Sequence, residues 1–115
     1  MDITMNFVAA GQKPLEGGYV TARETDQQLV VRAQRGDTRA FDLLVLKYQG
    51  RIATLVARFV NDAAEVEDVT QEAFIKAFRA LPKFRGESAF YTWLYRIASN
   101  AAKNYLVARG RRPAT

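Results

Sequence analysis

Apolar residues in this chain return every three or four positions and do not alternate. From Asp37 onward Phe41, Leu44, Tyr48, Ile52, Leu55, Val56 and Phe59 fall on one stripe. That rhythm suits one buried face of an α-helix and not a strand, whose side chains alternate with period two. The spacing recurs in Val66, Val69, Ala73, Phe74, Ala77 and Leu81, and again in Trp93, Leu94, Ile97, Ala98, Ala101 and Tyr105. A shorter stripe, Leu29, Val30 and Ala33, precedes them. No strand alternation, hairpin signal or internal repeat appears, so the sequence predicts an all-α fold of about four helices.

Cap and breaker residues set the boundaries. Thr25 or Asp26 can cap a first helix ending at Gly36, and Asp37 or Thr38 starts a second running to about Val60. Gly50, in the middle of that helix, costs about 1 kcal/mol relative to Ala, which predicts close packing or a bend there. Asn61 or Asp62 starts a third helix to about Ala80. Pro82 and Gly86 bound a loop, and Ser88 is the expected cap of a fourth helix reaching about Ala108. Residues 1–23 lack sustained periodicity and carry Gly11, Pro14, Gly17 and Gly18, so a flexible leader is expected there.

At 115 residues there is room for one domain with its own core. The absence of Cys and His rules out disulfides, thiol nucleophiles, His-based triads and the usual zinc ligand sets. No metal or cofactor is expected, and no glycine-rich phosphate loop or nucleophile motif points to an enzyme. The longest apolar runs fall far short of a membrane span, so direct membrane insertion is not expected. The lack of Cys is compatible with a reducing cytoplasm.

Charge is segregated along the chain, which has a net charge of +5 and a pI of about 9.8. Residues 61–72 hold the carboxylates Asp62, Glu65, Glu67, Asp68 and Glu72 and no cation. From Ala73 onward Lys76, Arg79, Lys83, Arg85, Arg96, Lys103, Arg109, Arg111 and Arg112 face only Glu87. Taken singly, each cation is adequately explained as solvated surface. Taken together, they suit a polyanionic partner. Aromatics are interleaved with them: Trp93 lies on the apolar stripe and is expected in the core, Phe90 anchors the loop, and Phe84 and Tyr91 are expected half-exposed. A ring of that kind stacks a base for about 1–3 kcal/mol. Arg96, Asn100 and Asn104 follow one another at single-turn spacing, and an amide can both donate to and accept from a base edge. The acids of the third helix partly serve its dipole, but Glu72 lies beyond the first turns. With Glu67, Asp68 and Gln71 it can form a ridge for a basic partner helix.

These residues, read in order, resemble a known family. Asp26-Gln-Gln-Leu-Val30, Arg35-Gly-Asp37, Ala40-Phe41, Val69-Thr-Gln-Glu-Ala-Phe74, Phe84-Arg-Gly-Glu-Ser88 and Tyr91-Thr-Trp-Leu-Tyr-Arg96 resemble the second region of extracytoplasmic-function sigma factors, nearest the sigma-E type. The resemblance runs from about Glu24 to Pro113. It implies a compact helical bundle that binds RNA polymerase core enzyme and the minus-ten promoter element. Residues 65–76 would dock on the clamp coiled coil of the largest polymerase subunit, through Glu65, Asp68, Val69, Gln71, Glu72 and Ile75. The loop and last helix would capture the non-template strand, with one base in a pocket walled by Ala80, Phe84, Ile97 and Asn100. Lys76, Arg79, Arg85, Arg96 and Lys103 would neutralise phosphates, with Tyr91 and Asn104 also on that interface.

Family members usually carry a further helix-turn-helix domain, region 4, that reads the minus-thirty-five element. The resemblance ends where the linker to it would begin, so that domain is expected to be absent from this chain. Many relatives are held by a membrane-bound anti-sigma factor, which the resemblance adds as a partner. The residues alone leave open a general single-strand-binding helical module, or a protein-binding adaptor that works through its acidic ridge.

Overall fold

In the computed structural model, which describes residues 24–110, a capping box starts the first helix. Thr25 accepts from the Gln28 backbone N–H at 3.2 Å, and the Gln28 side chain accepts from the Thr25 N–H at 2.9 Å. Two otherwise orphaned donors are thereby satisfied. This leaves Asp26, the other candidate cap, free to reach the second helix. α1 spans Asp26–Gln34, and the chain turns at Gly36, whose φ of 102° lies in the left-handed region glycine tolerates. The expectations for residues 1–23, and for Arg111, Arg112 and Pro113, lie outside the described residues.

Asp37 caps α2 (Thr38–Val56), accepting from the Arg39 N–H at 3.1 Å, and also receives Arg32 Nη2 at 2.6 Å. α2 ends four residues before the predicted Val60. Its last turn tightens through Arg58 N–H to the Leu55 carbonyl at 3.1 Å and Phe59 N–H to the Val56 carbonyl at 2.9 Å. Asp62 caps α3 (Ala63–Ala80), and a three-residue 3₁₀ turn, Leu81–Lys83, follows directly. α4 spans Phe90–Gly110. Ser88 does not cap it: its hydroxyl donates to the Ala89 carbonyl at 3.2 Å, and that carbonyl also accepts the Trp93 N–H at 3.1 Å. The four helices form one bundle, and among the described residues there is no strand.

α2 lies at the centre, packed against α1, α3 and α4. Phe41, Leu44, Ile52 and Val56 on α2 have no solvent exposure, nor does Leu94 on α4. Ala73 and Ala77 of α3 and Ala98, Ala101 and Ala102 of α4 are buried, and α3 and α4 pack directly on one another as well as on α2. Truncating Leu44 to Ala is expected to cost about 2–5 kcal/mol, the range for a buried leucine.

α1 is pinned to α2 by Asp26, which accepts from Lys47 Nζ at 2.7 Å and from the Tyr48 hydroxyl. The Asp26 carboxylate raises the Lys47 pKa above its ordinary value. Burial, followed by the bond to Asp26, raises that of Tyr48. The expected close approach at Gly50 is absent: a Cβ built there meets nothing within 4 Å, and the helix runs through the position unbroken.

Two predictions follow from this packing. Gly50→Ala should stabilise the domain by about 0.5–1 kcal/mol in urea unfolding, because it removes backbone freedom from the unfolded chain without a steric cost. The second concerns acid. Arg32 holds the Asp37 carboxyl below its ordinary value of 3.8, so the stability this supplies is complete above that value and is lost as the pH falls through the lower folded one. Asp37→Asn should therefore flatten the acid limb of a stability profile below about pH 4. The difference should stay under about 1 kcal/mol, since both side chains are roughly a third exposed.

Candidate nucleic-acid interface

The loop between α3 and α4 is built by local rules. Pro82 sits at the start of the 3₁₀ turn, where its missing N–H costs nothing, and the Phe84 N–H closes the turn on the Leu81 carbonyl at 3.0 Å. Gly86, with φ 76°, reverses the chain in the left-handed region. Phe90, 4 % exposed, anchors the far end as expected. Its ring meets Phe84 edge-on at 6.2 Å and Trp93 at 5.7 Å. Phe84 and Trp93 are themselves 4.7 Å apart between centroids, and both are half-buried.

Beside this aromatic pair lies an open hollow of about 310 Å³, lined by Phe84, Trp93, Lys83, Arg85, Glu87, Ser88 and Arg96. Three cations against one carboxylate give it a positive balance, with two aromatic residues in its wall. Of the expected pocket walls only Phe84 lines it. Ala80 and Ile97 are half-buried elsewhere, with Ile97 packed against the core, and Asn100 is exposed on α4. Arg85 and Arg96 line the hollow as well. Trp93 is not the fully buried core residue its stripe suggested: it is half-buried against the core, next to fully buried Leu94, and also lines the hollow. Lys83 is also new to the site, although it belonged to the basic cluster already evident in the sequence.

Lys76 and Arg79 on α3 and Lys103 and Asn104 on α4 are all exposed. Tyr91 is half-buried, as expected, but held by α2: it stacks on Tyr48 at 4.9 Å and 27°, with the Arg51 guanidinium 5.4 Å from its ring centre. Any contact Tyr91 makes with a ligand must therefore use the part of the ring that α2 leaves uncovered.

α3 presents a separate face. Asp68, Gln71, Glu72 and Ile75 are exposed at three- and four-residue spacing, so they share one stripe. Phe78 extends it one turn further with 37 % exposure, its ring edge-on to Phe41 at 5.0 Å. The sequence reading missed Phe78, which its spacing from Ile75 could have indicated. Val69 is the correction here: at 4 % exposure it is packed in the core and supports this face without presenting a side chain on it. Glu65, half-buried, accepts from Arg109 at 2.9 Å, a bond joining the start of α3 to the end of α4. Among the described residues no helix is long and apolar enough to cross a membrane.

Residues 44–112 match the family described as Sigma-70 region 2. The chain is 75 % identical over 91 residues to the RNA polymerase sigma-H factor of Pseudomonas aeruginosa, covering 79 % of this chain and 47 % of that protein. It is 67 % identical over 89 residues to the ECF RNA polymerase sigma-E factor of Escherichia coli K12, covering 77 % and 46 %. The chain thus spans about half the length of these curated relatives. A solved structure of an engineered region 2 of sigmaE in complex with GTAAAA superposes with a TM-score of 0.75 at 58 % identity, covering 81 % of this chain and 97 % of that one.

Proposed function

The chain belongs to the Sigma-70 region 2 family, and we propose that it serves transcription initiation by capturing the melted non-template strand of a minus-ten element while bound to RNA polymerase core enzyme. The observation that carries this reading is the Phe84–Trp93 ring pair set beside Lys83, Arg85 and Arg96 in one open hollow. Rings for base faces and cations for phosphates are what an unpaired strand requires. The solved relative in complex with GTAAAA supports a short nucleic-acid sequence as the ligand.

The work done is binding and not bond-breaking. Unstacking a base costs a few kcal/mol, and a surface that holds only the extruded form shifts the equilibrium toward open DNA by its differential affinity. Phe84 supplies the ring against which a base packs. Asn100, exposed one helical turn beyond Arg96, supplies the amide that reads a base edge. Lys76, Arg79, Lys103 and Asn104, all exposed, extend the contact along the strand, while Ala80 and Ile97, half-buried outside the hollow, lie apart from the Phe84 wall. Tyr91 adds the free part of its ring.

The stripe Asp68, Gln71, Glu72, Ile75 and Phe78 is the polymerase-docking face in this reading, directed at the clamp coiled coil of the largest subunit. It combines carboxylates with exposed apolar side chains, which suits a basic amphipathic partner. Residues 24–113 form the region 2 unit, acting in the cytoplasm, and an anti-sigma factor covering these faces is a further partner.

Two experiments test the two faces. In competition binding with single-stranded oligonucleotides carrying GTAAAA or single-base variants of it, Asn100→Ala should erase most of the preference for one base. Arg96→Ala should weaken all sequences alike and lower the salt slope by about 0.7, the contribution of one phosphate on a single strand. Wild-type binding that ignores sequence would instead favour a general single-strand module. In co-purification with core polymerase, Glu72→Arg should abolish the complex while leaving the helical circular-dichroism spectrum unchanged; an intact complex contradicts the docking face.

A further inference from the structure

We infer that Gln34, on the helix farthest in sequence from the strand-binding loop, is the positioning residue that sets Phe84 for strand capture. The inference rests on the strand-capture reading above. Gln34 is the last residue of α1, and its Nε2 donates to the Leu81 carbonyl at 3.0 Å and to the Phe84 carbonyl at 2.9 Å. These carbonyls lie at the start of the 3₁₀ turn and just beyond its end. One side-chain amide thus spans the turn whose exit residue carries the ring.

The chemistry fixes which end of the amide is used. Both partners are carbonyl oxygens, which can only accept, so the NH₂ group and not the amide oxygen must face them. Its two hydrogens match the two acceptors. The Leu81 oxygen also takes the Phe84 N–H at 3.0 Å, so both of its lone pairs are occupied. Apart from the local bonds of Phe84 N–H to the Leu81 carbonyl and of Ser88 to the Ala89 carbonyl, the loop is held by the packing of Leu81 and Phe90, and such packing constrains position better than orientation. Two directed hydrogen bonds across the turn supply the orientation. They favour strand capture by lowering the ordering cost that binding would otherwise meet.

Gln34→Met keeps the side chain's length and removes both donors, while Gln34→Glu keeps its shape and sets an acceptor against two acceptors. Gln34 is exposed and lies outside the buried core, so both variants should retain the wild-type helical content. The 115-residue chain is titrated with single-stranded DNA carrying GTAAAA, and amide hydrogen exchange is measured on the free protein. Gln34→Met should speed exchange at Phe84 and weaken strand binding by about three- to ten-fold, the worth of one or two hydrogen bonds. Gln34→Glu should weaken it at least as much. For the uncharged Gln34→Met variant the salt slope should not change, because no phosphate contact is lost.

A double-mutant cycle separates positioning from a general structural role. In a Phe84→Ala background Gln34→Met should cause no further loss, whereas additive losses overturn the inference. Unchanged exchange at Phe84 in Gln34→Met, or unchanged strand affinity, sinks the tether alone and leaves the capture reading standing. A Phe84→Ala variant that binds like wild type sinks the capture reading itself, and the tether's purpose with it.

Discussion

Burial of α2 among the other three helices is the constraint on which every functional feature depends. Phe41, Leu44, Ile52 and Val56 are wholly enclosed, and Tyr48 is nearly so at 7 %. Because α2 touches all three neighbours, it sets where each of them turns its outer face. Tyr48 shows this in one residue: its hydroxyl meets Asp26 of α1 while its ring stacks on Tyr91 of α4. Loosening α2 would therefore disturb α1's hold on the loop and α4's polar side together.

The bundle keeps two unlike chemistries apart. Asp68 and Glu72 look outward from α3, and the loop cations with Arg96 gather at the other end of the α3–loop–α4 unit. Lys76 stands 4.0 Å from Glu72, close to the seam between them. Charges this exposed contribute little to folding, so their separation is better explained by what each face meets. One surface suits a basic protein element and the other a polyanion, which is the arrangement expected of a domain that joins a protein machine to a nucleic-acid strand.

Much of the fold was legible in the sequence because apolar spacing directly reports helix faces. The polar side of α4, Arg96, Asn100, Lys103 and Asn104, follows from the same register and is exposed throughout. The resemblance to sigma region 2 supplied what periodicity could not, namely the partners. Failures came where one residue had two plausible uses. Val69 belonged both to the apolar stripe and to a proposed docking face, and burial took it. Ser88 could have capped α4, but a hydroxyl bonds equally well to a neighbouring carbonyl, and it does so here. Gly50 looked like a packing glycine and faces open space. The hollow beside Phe84 was illegible for another reason: its shape depends on a loop tied to Gln34, 47 residues before Leu81. No local pattern reports a bond of that range.

The central claim is that the loop and α4 grip an unpaired strand while α3's acidic face stays clear of it. The most direct measurement is an amide and indole NMR titration of the isotope-labelled chain with single-stranded GTAAAA. Saturable shifts are expected at the Trp93 indole, in residues 83–88 and along Arg96, Asn100 and Lys103, with Asp68, Gln71 and Glu72 unmoved. Shifts concentrated on Asp68 to Glu72, or an unperturbed Trp93 indole at saturation, would contradict that claim.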